Sequence, residues 1–156
     1  MRTPLIIVFI TLIAASAQAQ GLGYVEGGLA GLVDPFPGNR SDSFHAGGGG
    51  EVVAADRLGV GGEIGFFSRL ITASGNATLH LTPLSAPKAG AFVTGGYSRF
   101  GIGDGEGGFN AWNVGAGAHV WFGDRTGLRL EFRDHIRPDE RGTTQYWSIR
   151  AGIAFR

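Results

Sequence analysis

The stretch Gly127-Leu128-Arg129-Leu130-Glu131-Phe132-Arg133-Asp134-His135-Ile136-Arg137 decides the fold of this chain. Residues of one parity are apolar, with Asp134 as the exception, and residues of the other parity from Arg129 onward are charged or titratable. Successive side chains of a β-strand point to opposite faces, so a strand sorts this stretch into an apolar and a polar face. A helix would scatter both sets around its axis. The stretch therefore predicts a two-faced strand.

The same alternation recurs along the rest of the chain. In the last segment, apolar residues such as Trp147 and Ile149 alternate with Ser148 and Arg150. The segment from 89 to 100 is ambiguous, because either Phe92 or Val93 could lie on the apolar face. Divided at turn-forming residues, the pattern predicts eight antiparallel strands at residues 22–31, 43–55, 58–68, 77–85, 89–100, 109–122, 126–137 and 144–156.

The predicted connections alternate in length. Short ones fall at residues 56–57, 86–88 and 123–125, and longer polar ones at 32–42, 69–76, 101–108 and 138–143. Outer-membrane barrels have short periplasmic turns and longer external loops. The fold class is therefore predicted to be all-β, an eight-stranded antiparallel up-and-down transmembrane β-barrel with both chain ends in the periplasm.

The N-terminus has the features of a cleavable signal peptide. Arg2 provides a positive charge, Leu5 to Ile13 is apolar apart from Thr11, and Ala17-Gln18-Ala19 is a small-x-small cleavage motif. A retained helical anchor is disfavoured, because a spanning helix needs about 20 apolar residues. We predict a signal peptide at residues 1–19, a barrel domain at residues 20–156, and export to the outer membrane.

The composition supports a small barrel. Glycine accounts for 29 of 156 residues, whereas about 7% is typical. Glycine disfavours helices and suits strongly curved strands around a crowded interior. Cysteine is absent, so disulfides cannot stabilise the exported domain, whereas a closed barrel with every backbone group paired can.

The charge balance disfavours nucleic-acid binding. The chain has 13 basic and 13 acidic residues, and loss of Arg2 with the signal peptide removes one basic residue. The mature domain therefore has no surplus of positive charge to neutralise phosphates.

The pattern defines two faces but leaves open which face is inside. Lipid on the apolar face is favoured because aromatic residues collect near the ends of that face, as in the aromatic girdles of membrane barrels. The predicted girdle consists of Phe44, Phe66, Trp112 and Trp147 near the outer ends, and Phe122 and Phe155 near the periplasmic ends. The alternative is a soluble periplasmic lipocalin-like carrier with its apolar face inward.

The signal peptide, the four hairpins, the glycine-rich alternating strands and the terminal Ile153-Ala154-Phe155 resemble the small outer-membrane β-barrel proteins of the OmpA/OmpX type. The resemblance covers nearly all of the mature chain and rests on pattern rather than on a signature motif. It implies a monomer whose partners are outer-membrane lipid and the outer-membrane assembly machinery, which reads an aromatic residue in the C-terminal strand. Phe155 matches that residue, and Arg156 follows it.

The polar faces carry a nearly balanced set of charges. Its predicted members are Glu26, Glu51, Glu63, Arg129, Glu131, Arg133 and Arg150. An eight-stranded barrel is just wide enough for its own side chains, and buried charges must pair. We therefore predict a lumen charge network that plugs the barrel. The alternative is a narrow ion path.

An enzymatic function is a second alternative. The residues around His135 faintly resemble those of lipid A deacylases, eight-stranded outer-membrane barrels whose catalytic pair is a His and a Ser. In that comparison His135 would be the base, but Arg137 occupies the position of the nucleophile, and Thr143 and Thr144 do not match it. We therefore predict that the chain is not an enzyme.

No cofactor or metal site is predicted. His45, His80 and His119 lie on different strands without ligand spacing. The loop at 101–108 lacks the lysine of a P-loop and the ligand spacing of a calcium hand. The sequence therefore predicts an integral outer-membrane barrel with a structural or surface-interaction role, whose external loops, above all 32–42, contact an unidentified partner.

Overall fold

Eight antiparallel strands form a closed barrel in which each strand pairs with the next and β8 pairs with β1. The computed structural model describes residues 20–34, 40–67, 69–85, 88–101, 107–140 and 142–156. The strands are β1 (Gln20–Val33), β2 (Arg40–Ala54), β3 (Leu58–Phe67), β4 (Leu70–His80), β5 (Ala89–Phe100), β6 (Phe109–Trp121), β7 (Thr126–Asp139) and β8 (Gly142–Phe155). The predicted signal peptide lies outside the described residues. In the part of the chain that is described, no helix is long and apolar enough to cross a membrane.

The strand register determines the shape of the barrel. From Gly23 on β1, the paired residues lead through all eight strands and return to β1 at Val33, ten residues further on. A shear of ten with eight strands corresponds to a strand tilt of about 40° and a radius of about 8 Å. The interior is therefore only wide enough for side chains.

The apolar face points outward along every strand. Leu130, Ile149 and Val114 are 45%, 58% and 52% exposed, while their neighbours Arg129, Arg150 and Asn113 are at most 4% exposed. The structure also resolves the ambiguous segment, since Phe92 is buried and Val93 points outward. A lipocalin-like carrier would have the reverse arrangement, with its apolar side chains inside.

The position of the fourth strand differs from the sequence prediction. We expected a strand at 77–85 after a long connection at 69–76, but β4 spans Leu70–His80 and only residues 68–69 separate it from β3. The prediction was wrong because small polar residues suggested a loop. In the structure Thr72, Ser74 and Asn76 are buried and point inward, alternating with outward Ala73 and Gly75. Polar residues at alternate positions mark the lumen side of a strand here.

The predicted alternation of short and long connections is therefore also wrong. At the upper end, the connections are residues 34–39, 68–69, 101–108 and 140–141. At the lower end, they are 55–57, 81–88 and 122–125. Two of the upper connections contain two residues each, while the β4–β5 connection at the lower end contains eight. Loop length thus does not distinguish the two ends.

Candidate functional site in the barrel lumen

Three arginines and three glutamates meet in the middle of the lumen. Glu131 accepts hydrogen bonds from Arg133 Nε and Arg150 Nη2, both at 2.6 Å, through Oε1, and from Arg129 Nη2 at 2.5 Å through Oε2. Glu63 Oε1 accepts from Arg150 Nη1 at 2.6 Å, and its Oε2 accepts from Arg133 Nη1 at 3.1 Å. We call this set the central network: Glu26, Glu63, Glu131, Arg129, Arg133 and Arg150.

Glu26 balances the third arginine of the central network, but its contacts with the arginines are less well aligned than those of Glu63 and Glu131. Its Oε1 lies 2.7 Å from Arg150 Nη1 and its Oε2 lies 3.5 Å from Arg129 Nε. Neither oxygen has a well-aligned hydrogen bond to the described residues. With three charges of each sign, the central network is neutral. Every member is at most 7% exposed, so its stability depends on pairing, because an uncompensated buried charge is costly.

Glycines make room for these side chains. Each of the seven predicted lumen charges has a glycine as a cross-strand Cα partner: Glu26 with Gly47 and Gly152, Glu51 with Gly61, Glu63 with Gly49, Arg129 with Gly152, Glu131 with Gly117, Arg133 with Gly115, and Arg150 with Gly28. A Cβ at Gly28 would lie 1.9 Å from Ile149 O, and one at Gly152 would lie 2.0 Å from Val25 O. Larger residues are therefore excluded opposite the charges.

Glu51 belongs to a separate group nearer the lower end. Its Oε1 lies 2.8 Å from His80 Nε2, and the His80 ring stacks on that of His119 at 6.0 Å. His119 Nε2 lies 3.0 Å from Arg129 Nη1, which links this group to the central network. Arg129 also lies between the rings of Tyr24 and Phe92, 4.2 Å from each ring centroid.

Arg156 and Trp121 lie across the lower end of the lumen. The Arg156 guanidinium lies 4.3 Å from the Trp121 ring centroid, and its Nε donates to Asp124 O at 3.2 Å. Its Nη1 donates to Leu84 O in the β4–β5 connection. Leu84 is 2% exposed. Arg156 therefore connects two lower turns beneath a buried apolar cluster of Leu22, Tyr24, Val53, Leu84, Trp121 and Ala154.

A layer of uncharged polar groups lies above the central network. Ser98 Oγ is its centre: it accepts from Asn113 Nδ2 at 2.9 Å and lies 2.8 Å from Ser74 Oγ and 3.1 Å from His135 Nδ1. The Asn76 amide, oriented so that it donates to Asn113 Oδ1, accepts from Arg133 Nη1 at 3.1 Å. Hydrogen bonds thus continue from the charges to the upper layer.

Four aromatic rings lie across the upper end of the lumen. The Phe100 ring centroid is 6.0 Å from Phe67, 4.8 Å from Phe109 and 5.2 Å from Tyr146. We call these residues the aromatic lid: Phe67, Phe100, Phe109 and Tyr146. His135 packs edge-on beneath Phe100 at 5.1 Å.

His135, the base in the enzymatic alternative, is thus enclosed. His135 is 3% exposed and Ser98 is fully buried. A hydroxyl and an imidazole within 3.1 Å of each other have the composition of a nucleophile and its base. However, both face the lumen beneath the aromatic lid, on the opposite side of the wall from the apolar outer surface. Arg137, which occupies the nucleophile position in the sequence comparison, has its guanidinium 4.6 Å from the Phe109 ring centroid.

The histidines singled out in the sequence do not form a metal centre. His80 and His119 stack together, while His45 lies with its Nε2 3.8 Å from Glu63 Oε1. Among the described residues, no group of three or more His, Cys, Asp or Glu side chains could hold a metal ion.

The six predicted girdle residues all lie on the outward side, with Trp147 half-buried and the others 48–68% exposed. In a barrel with this shear, moving one residue along a strand changes the height along the barrel axis by about 2.5 Å. Moving to the paired residue on the next strand changes that height by about 3 Å. These steps place Phe44, Phe66, Trp112 and Trp147 within about 3 Å of one level. Phe155 and Phe122 then lie about 20 and 26 Å lower, close to the ~25 Å height of a membrane barrel's apolar band.

Sequence reasoning missed several lumen residues. Tyr24 donates to Glu63 Oε2 at 3.0 Å, and Asn76, Ser98 and Asn113 form the upper polar layer. Their alternate positions on the polar face of each strand were the feature of the sequence that could have identified them. Phe67 and Phe100 were also missed, because an aromatic residue at a strand end suits the lumen as well as the girdle.

Comparisons with known proteins identify the fold. No protein-family model and no curated protein matches the sequence. The N-terminal β-barrel domain of Pseudomonas aeruginosa OprF superimposes with a TM-score of 0.62 at 16% identity, over 88% of this chain and 98% of that one. Neisserial surface protein A (NspA) gives 0.62 at 12% identity, over 88% and 97%. A de novo designed transmembrane β-barrel gives 0.60 at 17% identity, over 86% and 92%. The chain therefore has the eight-stranded β-barrel fold of the small outer-membrane barrels.

Proposed function

We propose that this chain is an integral outer-membrane protein whose barrel is sealed and serves a structural or surface-interaction role. The observation that supports the proposal is the series of side-chain layers along the lumen. The aromatic lid, the polar layer, the central network and the Trp121–Arg156 contact succeed one another along the axis. A conducting pore needs a continuous polar path, and the buried apolar cluster at each end interrupts such a path.

The outward surface supports placement in a bilayer. Among the described residues, twenty large hydrophobic side chains are at least 39% exposed, far more than a protein in water tolerates as one continuous surface. If β1 enters from the periplasm, as expected of an exported chain, the upper end faces the outside. The upper connections would then be the contact points for a partner. Phe155 on β8 would supply the aromatic signal for the assembly machinery.

Planar-bilayer conductance tests the seal. The wild-type protein, folded in detergent, should insert without single-channel steps. A variant with Phe67→Gly, Phe100→Gly and Trp121→Gly removes rings at both ends and should conduct or leak if the barrel still closes. Mobility on gels before and after boiling reports closure independently. Regular single-channel steps from the wild-type protein would refute the sealed barrel.

Fractionation tests the location. We expect the protein with the outer membrane, extracted only by detergent. Recovery in the soluble periplasmic fraction without detergent would overturn the membrane placement.

A further inference from the structure

Asp134 is a charged side chain on a surface of mostly apolar side chains. It is half-buried on the outward side of β7, with Val114 and Trp147 as its cross-strand partners. Its Oδ1 is enclosed and has no hydrogen-bond partner among the described residues. By the same height changes per residue and per strand, Asp134 lies about 3 Å below the level of Trp112 and Trp147 along the barrel axis. Below that level, it is the one charged side chain on the outward face of the described strands.

A carboxylate facing lipid is costly, and an ionisable residue in that position indicates a binding role. The barrel itself does not explain Asp134, since the lumen charges lie on the other side of the wall. A partner for its carboxylate must therefore approach from the membrane and must donate hydrogen bonds or carry positive charge.

A cation lies two strands away at a similar height. Arg99 on β5 is exposed, and its Nη1 donates to Asn110 Oδ1 at 3.3 Å. Arg99 pairs with Asn110, and Asp134 pairs with Val114 four residues further along β6, so their backbones lie about 16 Å apart on a diagonal through Trp112. Trp112 on β6 lies between them, 63% exposed, with its ring 4.9 Å from the Tyr97 ring in an edge-on contact. We call Tyr97, Arg99, Trp112 and Asp134 the zwitterionic patch.

We propose that the zwitterionic patch binds the head group of a phospholipid that carries a primary amine beside its phosphate. Arg99 pairs with the phosphate, and Asp134 accepts hydrogen bonds from the ammonium group. Trp112 between them offers an aromatic face to the same cation. The acyl chains run down the outward side of β6 over Val114, Ala116 and Ala118, where small side chains leave a shallow track.

Charge complementarity favours this occupant over an anionic lipid. A second copy related by a two-fold axis through Trp112 would set Asp134 opposite Arg99 of that copy, so oligomers in vesicles that disappear in Asp134→Asn would overturn the lipid proposal. A phospholipid with an anionic head group and no amine would satisfy Arg99 and leave Asp134 unpaired. Only a head group with both charges matches both side chains.

The proposal rests on the membrane placement proposed above, so the test must separate the two. The chain has three tryptophans, and Trp121→Phe with Trp147→Phe leaves Trp112 as the sole fluorophore. This protein is folded into phosphatidylcholine vesicles that contain equal mole fractions of either brominated phosphatidylethanolamine or brominated phosphatidylglycerol. Bromine quenches tryptophan only at close range, so the quenching of Trp112 reports which lipid lies beside it.

We expect phosphatidylethanolamine to quench Trp112 about two- to fivefold more efficiently than phosphatidylglycerol, the factor that one exposed ion pair supplies. Asp134→Asn should abolish the preference. Arg99→Gln should reduce quenching by both lipids. Glu140→Gln, which removes the same charge from an exposed connection, should leave the preference unchanged.

Four outcomes of this quenching experiment would overturn the proposal. Equal quenching by the two lipids, or an unchanged preference in Asp134→Asn, would show that the carboxylate selects no amine. Loss of the preference in Glu140→Gln would show a general charge effect. If neither lipid quenches Trp112 while aqueous iodide does, the membrane placement itself fails and the patch fails with it.

Discussion

Two glycine-to-alanine substitutions on neighbouring strands should have opposite effects on stability. A Cβ at Gly61 would lie 2.1 Å from Gly50 O and 2.7 Å from Glu51 Cα. A Cβ at Gly75 would meet nothing within 4 Å. Neither glycine has a positive φ, since only Gly101 and Gly142 do among the described glycines. Backbone conformation therefore tolerates alanine at both positions, and the difference between them is steric.

The magnitude follows from this geometry. Gly61→Ala forces the β2 and β3 backbones apart by roughly 1 Å, and overpacking of this kind costs about 1–3 kcal/mol or more. Gly75→Ala adds a methyl group in open space and restricts the unfolded chain, which stabilises by about 0.4–1 kcal/mol. We therefore expect the free energies of unfolding of the two variants to differ by at least about 2 kcal/mol.

Urea unfolding in phospholipid vesicles, followed by tryptophan fluorescence and by gel mobility, measures this difference. A second pair repeats the test on β5, because a Cβ at Gly96 would lie 2.1 Å from Gly75 O and one at Gly95 would lie 3.5 Å from Asn113 O. If Gly61→Ala and Gly75→Ala differ by less than 0.5 kcal/mol, roughly the effect of an ordinary surface change, the steric account of the inward glycines is refuted.

Three further substitutions test the lumen. Arg150→Ala should destabilise by about 3–5 kcal/mol, because it leaves the three glutamates of the central network with two arginines and thus one uncompensated buried charge; the same urea assay should show far less effect for exposed Arg125→Ala, and equal effects would contradict the network. Phe100→Ala in the aromatic lid should cost about 3–5 kcal/mol, whereas outward Phe66→Ala should cost less in vesicles, where lipid fills the space; the reverse order would place Phe100 outside the packed interior. His135→Ala should leave the acyl composition of outer-membrane lipid unchanged by mass spectrometry, and altered acylation would revive the enzymatic alternative.

The sequence predicted the strands well where one face is consistently apolar. β7 and β8 are long and strictly alternating, and their predicted positions agree with the structure to within two residues. β4 failed because its outward residues Ala73, Gly75 and Ala77 are small, so its apolar face was weak. Local hydrophobicity therefore could not distinguish a lumen-facing row of Thr, Ser and Asn from a polar connection.

The seven lumen charges could be identified from their alternate positions along each strand, but the contacts between them could not be predicted. Arg133 and Glu63 are separated by 70 positions in sequence and meet only because of the register and the shear. A shift of two residues in one strand would preserve every face and change every pair. For Asp134, the sequence showed that a charged residue interrupts the apolar face of β7. Only the structure showed that its Oδ1 has no hydrogen-bond partner among the described residues.

The distribution of the seven lumen charges along the chain bears on how the barrel assembles. Of these seven, strands β1 to β3 supply Glu26, Glu51 and Glu63, while the β7–β8 hairpin supplies three arginines and one glutamate. A sheet that has not yet closed therefore carries negative charge at its leading edge and positive charge at its trailing edge. These are the two edges that must find each other, and Glu26 and Arg150 meet across the joint. Attraction between them would favour joining the correct ends, and a nascent chain joined out of register would retain unmatched buried charges that oppose closure of the barrel.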